Sequence, residues 1–337
     1  MAVTTSPYAS DALPGGTVDA VVIGGGAAGL NGALMLARSR RSVVVIDSGS
    51  PRNASAAAMH GFIVLDGTPP HEILRRSREQ VRRYGGRVVF GEVASAAPAA
   101  PSADGDLCFT LTLADGRSIT ARRLLVATGL RDVLPEVPGL RQHWGHGVVH
   151  CPYCHGWEVR DQPIGVLATG PASVHHALLF RQLTKDLIYF THGTSLDEDA
   201  RTRLAARDIR IVDTPVREVV DREDGTLAGL RLTDGQVVAR RVLAVATQTQ
   251  ARTEGLDGLK LPMEDLPDTM GRRFVSGMAG VTEVPGVWVA GNATDLSAQV
   301  GASAAAGALA GSHINAVLVT ADTDAALAAA RGETPAP

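Results

Sequence analysis

Val18-Asp19-Ala20-Val21-Val22-Ile23-Gly24-Gly25-Gly26-Ala27-Ala28-Gly29 is the stretch whose reading decides the fold. The short apolar run reads as a buried parallel strand, because such strands meet side chains on both faces. It flows into a G-x-G-x-x-G turn, with Ala27 and Ala28 inside it, and then into a helix-like segment over 30–40. The next strand, 42–46, ends at Asp47, about the twenty-odd residues past the first glycine that a dinucleotide-binding unit needs. In that unit Gly24 permits the tight turn, Gly26 lets backbone approach a pyrophosphate and Gly29 lets helix and strand pack, while Asp47 accepts hydrogen bonds from ribose hydroxyls. Set between strand and helix, with an acid closing the next strand, this motif predicts a bound dinucleotide.

Working outward, 48–70 is a loop punctuated by Pro51, Gly61, Gly67 and Pro69-Pro70. Arg52, Asn53 and His60 lie in it, either facing the cofactor or serving as surface turn residues. A charged helix over 71–84 precedes strands at 87–93 and 107–113, joined by the Ala/Pro-rich connector 94–103; Cys108 reads as core. The strand 123–129 ends in Thr128-Gly129, small residues that allow a second backbone approach to the dinucleotide. A proline-rich connector over 134–139 leads into a second strand-turn-helix at 164–177. There Ala168 stands where a nicotinamide site wants glycine, Pro171 removes a helix N–H, and no arginine cluster follows the strand 186–190 to hold a 2′-phosphate, all of which argue against NADPH. A last strand ends at Gly291-Asn292, and Ala298-Gln299-Val300 opens an Ala-rich helix, so the amino-terminal architecture resumes at the carboxyl end. The expectation is an α/β protein of two Rossmann-like, three-layer nucleotide-binding domains. The first is discontinuous (18–132 and 253–322), the second spans 133–252, and the ends, 1–17 and 323–337, are flexible.

The second domain opens on His150-Cys151-Pro152-Tyr153-Cys154-His155-Gly156-Trp157-Glu158. A Cys-x-x-Cys at a helix start serves as a zinc ligand, a redox pair or nothing in particular. Zinc needs further ligands, and the one other cysteine, Cys108, is isolated, so no metal is expected. As a redox pair, Cys151 and Cys154 store two electrons. His150 and His155 bracket them directly, and an imidazole suits proton transfer with a thiol; His155 is favoured, His150 less so. Tyr153 and Trp157 line a small-molecule pocket or pack into the core.

A length of 337 residues suits two domains, and a net charge of −3 carries neither a nucleic-acid footprint nor a polybasic membrane patch. Three cysteines in so long a chain are not a disulfide scaffold and fit a reducing, cytoplasmic setting. The amino terminus lacks the basic-then-apolar pattern of a secretory signal. The apolar segment 300–319 is interrupted by Ser303, Ser312, His313 and Asn315, and reads as a buried helix of small residues rather than a membrane span.

In the order of these motifs the chain resembles the low-molecular-weight thioredoxin reductase family over nearly all of 18–320. The resemblance rests on Gly24 to Gly29, the Thr128-Gly129 turn, the inserted domain with Cys151 and Cys154, and the Gly291 and Gln299 region. It implies non-covalently bound FAD in the first domain, with the helix opening at Gln299-Val300 against the flavin ring, and a homodimer. It also implies a disulfide that exchanges electrons with the flavin, Cys154 nearer the ring and Cys151 facing substrate. Two departures stand out: His155 occupies a position that is usually acidic, and the second nucleotide motif is weakened. The Cys-Pro-Tyr-Cys-His-Gly form is closer to the gliotoxin and holomycin type dithiol oxidases. That branch implies a small-molecule dithiol as substrate and dioxygen as electron acceptor. Reduction of a protein disulfide such as that of thioredoxin by NADPH or ferredoxin is the alternative, and a non-catalytic redox sensor the third reading.

Overall fold

In the computed structural model the described residues are 10–102, 105–267 and 270–332. β1 (Thr17–Ile23) leads through the glycine turn into α1 (Ala27–Arg38) and β2 (Val43–Asp47); α2 (Pro70–Arg83) and β3 (Arg87–Phe90) follow, then β4 (Val93–Ala99), β5 (Cys108–Leu113) and β6 (Ser118–Val126). These strands form one sheet in the order β3-β2-β1-β6-β5-β4, parallel from β3 to β6 and antiparallel beyond. The alternation of side chains fills both faces. Val21, Ile23, Val44, Ile46, Leu124 and Val126 point to one core, and Ala20, Val22, Val43, Val45 and Leu125 to the other. Within the connector expected over 94–103, residues 94–99 belong to β4, which tolerates Pro98 because it is the sheet's edge and that amide has no ladder partner to lose.

β7 (Leu130–Val133) crosses to the second unit, where β8 (Val148–Val149), α3 (Pro152–His155), β9 (Ile164–Leu167), α4 (Ala172–Phe180), β10 (Leu187–Phe190), α5 (Glu198–Ala205) and β11 (Arg210–Val212) follow. A meander of β12 (Val216–Asp221), β13 (Leu227–Leu232) and β14 (Val237–Ala239) precedes β15 (Val242–Val245). The five-stranded sheet β11-β10-β9-β15-β8 is wholly parallel. Ala177, Phe180 and Leu204 from the helices cover one face, and Val219, Leu230 and Val238 from the meander cover the other. This three-layer arrangement repeats the plan of the first unit. The chain returns along β16 (Gln248–Ala251), antiparallel to β7 with Asp132 opposite Thr249, so the two crossings are hydrogen-bonded to each other. β17 (Met263–Leu266) and β18 (Gly271–Phe274) widen that ribbon. β19 (Val287–Val289) then pairs with β6, Val287 beside Leu124 and Val289 beside Val126. The long β6 therefore holds antiparallel β5 along its first half and the returning chain along its second.

α6 (Val300–Arg331) lies on α1 through small residues. A Cβ on Gly307 would overlap the Ala28 carbonyl, and one on Gly311 the Gly32 carbonyl, so the two backbones approach as closely as glycine permits. Only one face of α6 is buried, at Ser303, Gly307, Ala310, Ile314 and Leu318; Leu309 and Val319 are exposed, which corrects the expectation of a fully buried helix. α6 is long and apolar enough to cross a membrane by length and composition, yet its small residues are used here to pack on α1. The ends also differ from expectation. Residues 1–9 and 333–337 lie outside the described residues, but Asp11 is fastened by its amide to the Val88 carbonyl and by its carboxylate to Arg82, and α6 continues to Arg331 before Gly332 closes it in the left-handed conformation.

Gly307→Ala should destabilise the folded protein by about 1–3 kcal/mol, the usual cost of overpacking where backbone must move. Urea unfolding followed by circular dichroism reads this directly; an unchanged midpoint would show that the α1–α6 contact has slack.

Candidate active site

The glycine turn works by exclusion. Gly24 has φ near +109°, and a Cβ there would overlap the Ala127 backbone; one on Gly29 would overlap the Gly24 carbonyl, so Gly29 lets α1 sit against β1. A Cβ on Gly26 meets nothing within 4 Å, because that residue opens onto a cavity of about 510 Å³. The cavity is within the usual ~300–1,000 Å³ of small-molecule sites. It begins at Gly24, Gly26, Ala27, Ala28 and Asp47, passes Arg52, Asn53, His60, Thr128 and Gly129, and reaches Asn292, Gln299 and Val300 at the start of α6. Its other wall carries His150, Cys151, Cys154 and His155. Residues 126 positions apart in sequence, Gly25 and Cys151, thus share one continuous space. Gly29 and Gly291 do not line it. Gly291, at φ near +73°, stands behind the wall, where a Cβ would press on Ala28.

Asp47 is more constrained than the sequence suggested. It is buried at the end of β2, where Arg78 donates to one carboxylate oxygen at 2.8 Å and the Gly49 amide to the other at 2.9 Å. A ribose hydroxyl would share a carboxylate that the fold already holds. Arg52 is likewise engaged, donating through Nε and Nη2 to the two oxygens of Asp132, both at 2.7 Å. His60 turns toward Glu158, with Nε2 at 3.5 Å, which ties the loop after β2 to the segment following the cysteine pair. The fit to FAD is therefore good at the pyrophosphate turn and at the start of α6. Of the loop residues, Arg52 holds the outgoing crossing at Asp132, and His60 ties the loop to the second unit.

Cys151 and Cys154 form a disulfide at the start of α3, with Cα atoms 5.2 Å apart; Cys151 caps the short helix and its sulfur accepts from the Cys154 amide at 3.1 Å. Tyr153 is 67 % exposed and Trp157 68 %, which rules out core packing for either; Tyr153 borders the cavity and Trp157 stacks on Arg160 with its guanidinium carbon 4.1 Å from the ring centroid.

The histidines differ in their surroundings. His150 directs Nδ1 at the Val245 carbonyl oxygen, 3.0 Å away; the Thr247 amide approaches the same nitrogen at 3.4 Å, but a carbonyl can only accept, so Nδ1 carries the proton. Both ring nitrogens of His155 are buried without a hydrogen-bond partner among the described residues. Burial pushes both imidazoles below the ordinary value, His150 with help from Arg52 and against Asp132. His176 of α4 donates from Nε2 to the His150 carbonyl and stacks edge-on against Phe180. Asp132 stays well below the usual carboxylate range although burial opposes it, because Arg52 and the Thr247 hydroxyl hold it.

Asp132 and Thr247 had no signal in the linear motifs, and His176 and Glu158 lie within the second strand-turn-helix and the cysteine stretch without being marked there. Asp132 and Thr247 lie at the two chain crossings, and only the pairing of β7 with β16 brings them together. In the second nucleotide motif, the Thr169 amide donates to Ser173 Oγ at 3.0 Å and Pro171 occupies the cap of α4, so one amide of the turn is engaged within it and the cap position carries none. Cys108 is buried with a free thiol, as expected of a core residue.

A family model described as pyridine nucleotide-disulphide oxidoreductase matches residues 18–310. Thioredoxin reductase tcpT of Claviceps purpurea is 35% identical over 283 residues, covering 82% of this chain and 86% of that protein. Thioredoxin reductase aclD of Aspergillus oryzae is 31% identical over 305 residues, covering 86% and 94%. The crystal structure of HlmI superposes with a TM-score of 0.87 at 42% identity, over 94% of this chain and 98% of that one.

Burial pushes His176 down to about 4, from an ordinary value of 6.5. The unfolded chain therefore takes up a proton that the folded one refuses, and stability should fall as pH drops from about 6.5 toward 4. Between pH 7 and pH 5 this group accounts for a loss on the order of 2 kcal/mol. His176→Gln, which keeps an N–H for the His150 carbonyl, should shrink that loss in urea titrations at the two pH values. Equal losses in both proteins would show that His176 does not carry the effect.

Proposed function

Since the chain belongs to the pyridine nucleotide-disulphide oxidoreductase family, we propose that it oxidises a small-molecule dithiol to its intramolecular disulfide, passing the electrons through Cys151 and Cys154 to FAD and on to dioxygen. The protein is a thioredoxin reductase-like flavoprotein oxidoreductase, and members of its family bind FAD. The observation that carries the reading is the single cavity joining the dinucleotide turn at Gly24 to Gly26 with the Cys151–Cys154 disulfide. A dinucleotide seated at that turn extends toward the redox pair without any domain movement.

The pyrophosphate would lie against the amides opening α1, where Gly26 leaves room and unpaired N–H groups favour an anion. Asn292, Gln299 and Val300 would border the ring system at the start of α6. When bound, FAD accepts an electron pair from the thiols and returns it to dioxygen as hydrogen peroxide. A substrate thiolate attacks Cys151 Sγ, the Cys151–Cys154 bond breaks and Cys154 leaves as thiolate. The second substrate thiol, once deprotonated, attacks the substrate sulfur of the mixed disulfide, closing its own ring and releasing Cys151 as thiolate. The substrate loses two electrons and two protons, and the cysteine pair gains the electrons. The Cys154 amide, 3.1 Å from Cys151 Sγ, favours charge on that sulfur.

The wholly parallel second sheet favours one other reading, a reductase of a protein disulfide that draws on NADPH, and thioredoxin reductase is the name the fungal relatives carry. Against it, the second turn spends its amide on Ser173 and opens its helix with Pro171. That reading also needs the second unit to swing away from the first, which the Thr247–Asp132 and His60–Glu158 contacts oppose.

The decisive experiment is anaerobic stopped-flow mixing of the yellow protein with excess dithiothreitol or excess NADPH. Flavin bleaching by the dithiol, none by NADPH, and recovery on admitting air are expected. Cys154→Ser should lower the dithiol-driven rate at least ~10³-fold, since no second sulfur remains to complete the exchange. Rapid bleaching by NADPH would replace this reading with the reductase.

A further inference from the structure

Asp132 receives donors from two distant parts of the chain. Arg52 holds both of its oxygens, and the Thr247 hydroxyl donates to Oδ1 at 2.7 Å. Because that hydroxyl proton is directed to a carboxylate, which only accepts, the Thr247 oxygen presents a lone pair to its other neighbour, His150 Nδ1 at 3.4 Å. Nδ1–H of His150 is thus shared between the Val245 carbonyl and Thr247. The tautomer follows: Nε2 is the unprotonated nitrogen. The side-chain hydrogen bonds of His150 among the described residues all use Nδ1, and the ring forms part of the cavity wall next to Cys151. His155 offers no comparable arrangement, since both of its ring nitrogens are sealed and nothing orients them.

We propose that Asp132 and Thr247 are positioning residues that join the Val245 carbonyl in holding His150 in the Nδ1–H form and so make its Nε2 the base for the substrate thiol. The proposal rests on the dithiol reading above and names the group that starts it. A substrate S–H gives its proton to His150 Nε2, its sulfur takes the electron pair of that bond, and the thiolate attacks Cys151 Sγ as Cys154 leaves. The charges facing His150 are Arg52 and Asp132 from the first unit, His176 on α4, whose ring centre is 5.8 Å away, and His155 on α3. Burial holds the imidazole below its ordinary value, and Arg52 and Asp132 act on it in opposite directions as a bidentate pair, so it is presented neutral where a base is useful. The Asp-Thr-His order resembles that of a nucleophile's base held by a third group, with the hydroxyl as an intermediary.

The test uses the holoprotein and its own disulfide as the reporter. Single-turnover reduction by dithiothreitol under argon should slow about 10²-fold in His150→Ala and recover in part with imidazole in the buffer. Thr247→Val should slow it about tenfold, with the low-pH limb of the rate profile displaced, and Thr247→Ser should restore both. A readout independent of turnover is the ¹⁵N spectrum of labelled histidine. His150 should be protonated at Nδ1 in the wild type, and in Thr247→Val, where only the Val245 carbonyl holds that proton, the Nε2–H form should become detectable beside it. Wild-type rate, pH profile and tautomer in Thr247→Val would overturn the proposal, as would loss of the rate in His155→Ala with His150→Ala unimpaired. If dithiothreitol leaves the wild-type flavin oxidised, the dithiol reading falls. The tautomer still decides the positioning claim, and an Nε2-protonated His150 would refute it.

Discussion

The buried carboxylate of Asp132 is the point on which the arrangement of the two units depends. It lies on the outgoing crossing, accepts two hydrogen bonds from Arg52 in the loop after β2, and accepts a third from Thr247 beside the returning crossing. A carboxylate with 7% of its side chain exposed is costly unless its lone pairs are filled, and three donor groups from two separate stretches of chain fill them together. Loss of one donor leaves the others facing an uncompensated charge, so the three pieces are coupled. The geometry they share sets the redox disulfide opposite the dinucleotide turn.

The same carboxylate connects architecture with chemistry. Through Thr247 it reaches His150, and through Arg52 it reaches the loop whose His60 meets Glu158 beyond the cysteine pair. The second nucleotide-fold unit has been turned to the same end. Its α4 carries His176, buried against Phe180 and donating to the backbone immediately before Cys151, while the turn that would hold a second dinucleotide is closed on Ser173. That helix thus supports the segment bearing the disulfide. The parallel sheet persists because burial on both faces stabilises it whether or not a ligand is bound.

Histidine illustrates how far a motif reads. His150 and His155 flank the cysteines symmetrically in the sequence, and the motif alone gives both a place beside the redox pair. In the fold, His155 has both nitrogens buried without partners, whereas His150 has one nitrogen pinned and the other on the cavity wall. Arg52 shows the converse. Its place in a loop near the glycine turn suggested a cofactor contact, and it does border the cavity, but its guanidinium is committed to Asp132. Tyr153 and Trp157 were open between pocket and core, and their exposure decides against the core.

The sequence by itself determined the local units: the strand-turn-helix at Val18 to Gly29, the acid closing β2, the Cys-x-x-Cys at a helix start and the return of the first unit's pattern at Gly291 and Gln299. These are legible because backbone sterics act over a few residues; glycine suits the positive φ near +109° at Gly24, and only glycine fits against the Gly24 carbonyl at Gly29. Tertiary structure decided which polar groups meet. Arg52, Asp132, Thr247 and His150 span nearly 200 positions and carry no shared spacing, because a hydrogen bond needs only proximity and geometry at its two ends. Pairing of β7 with β16 supplies that proximity. No period or motif along the chain encodes it.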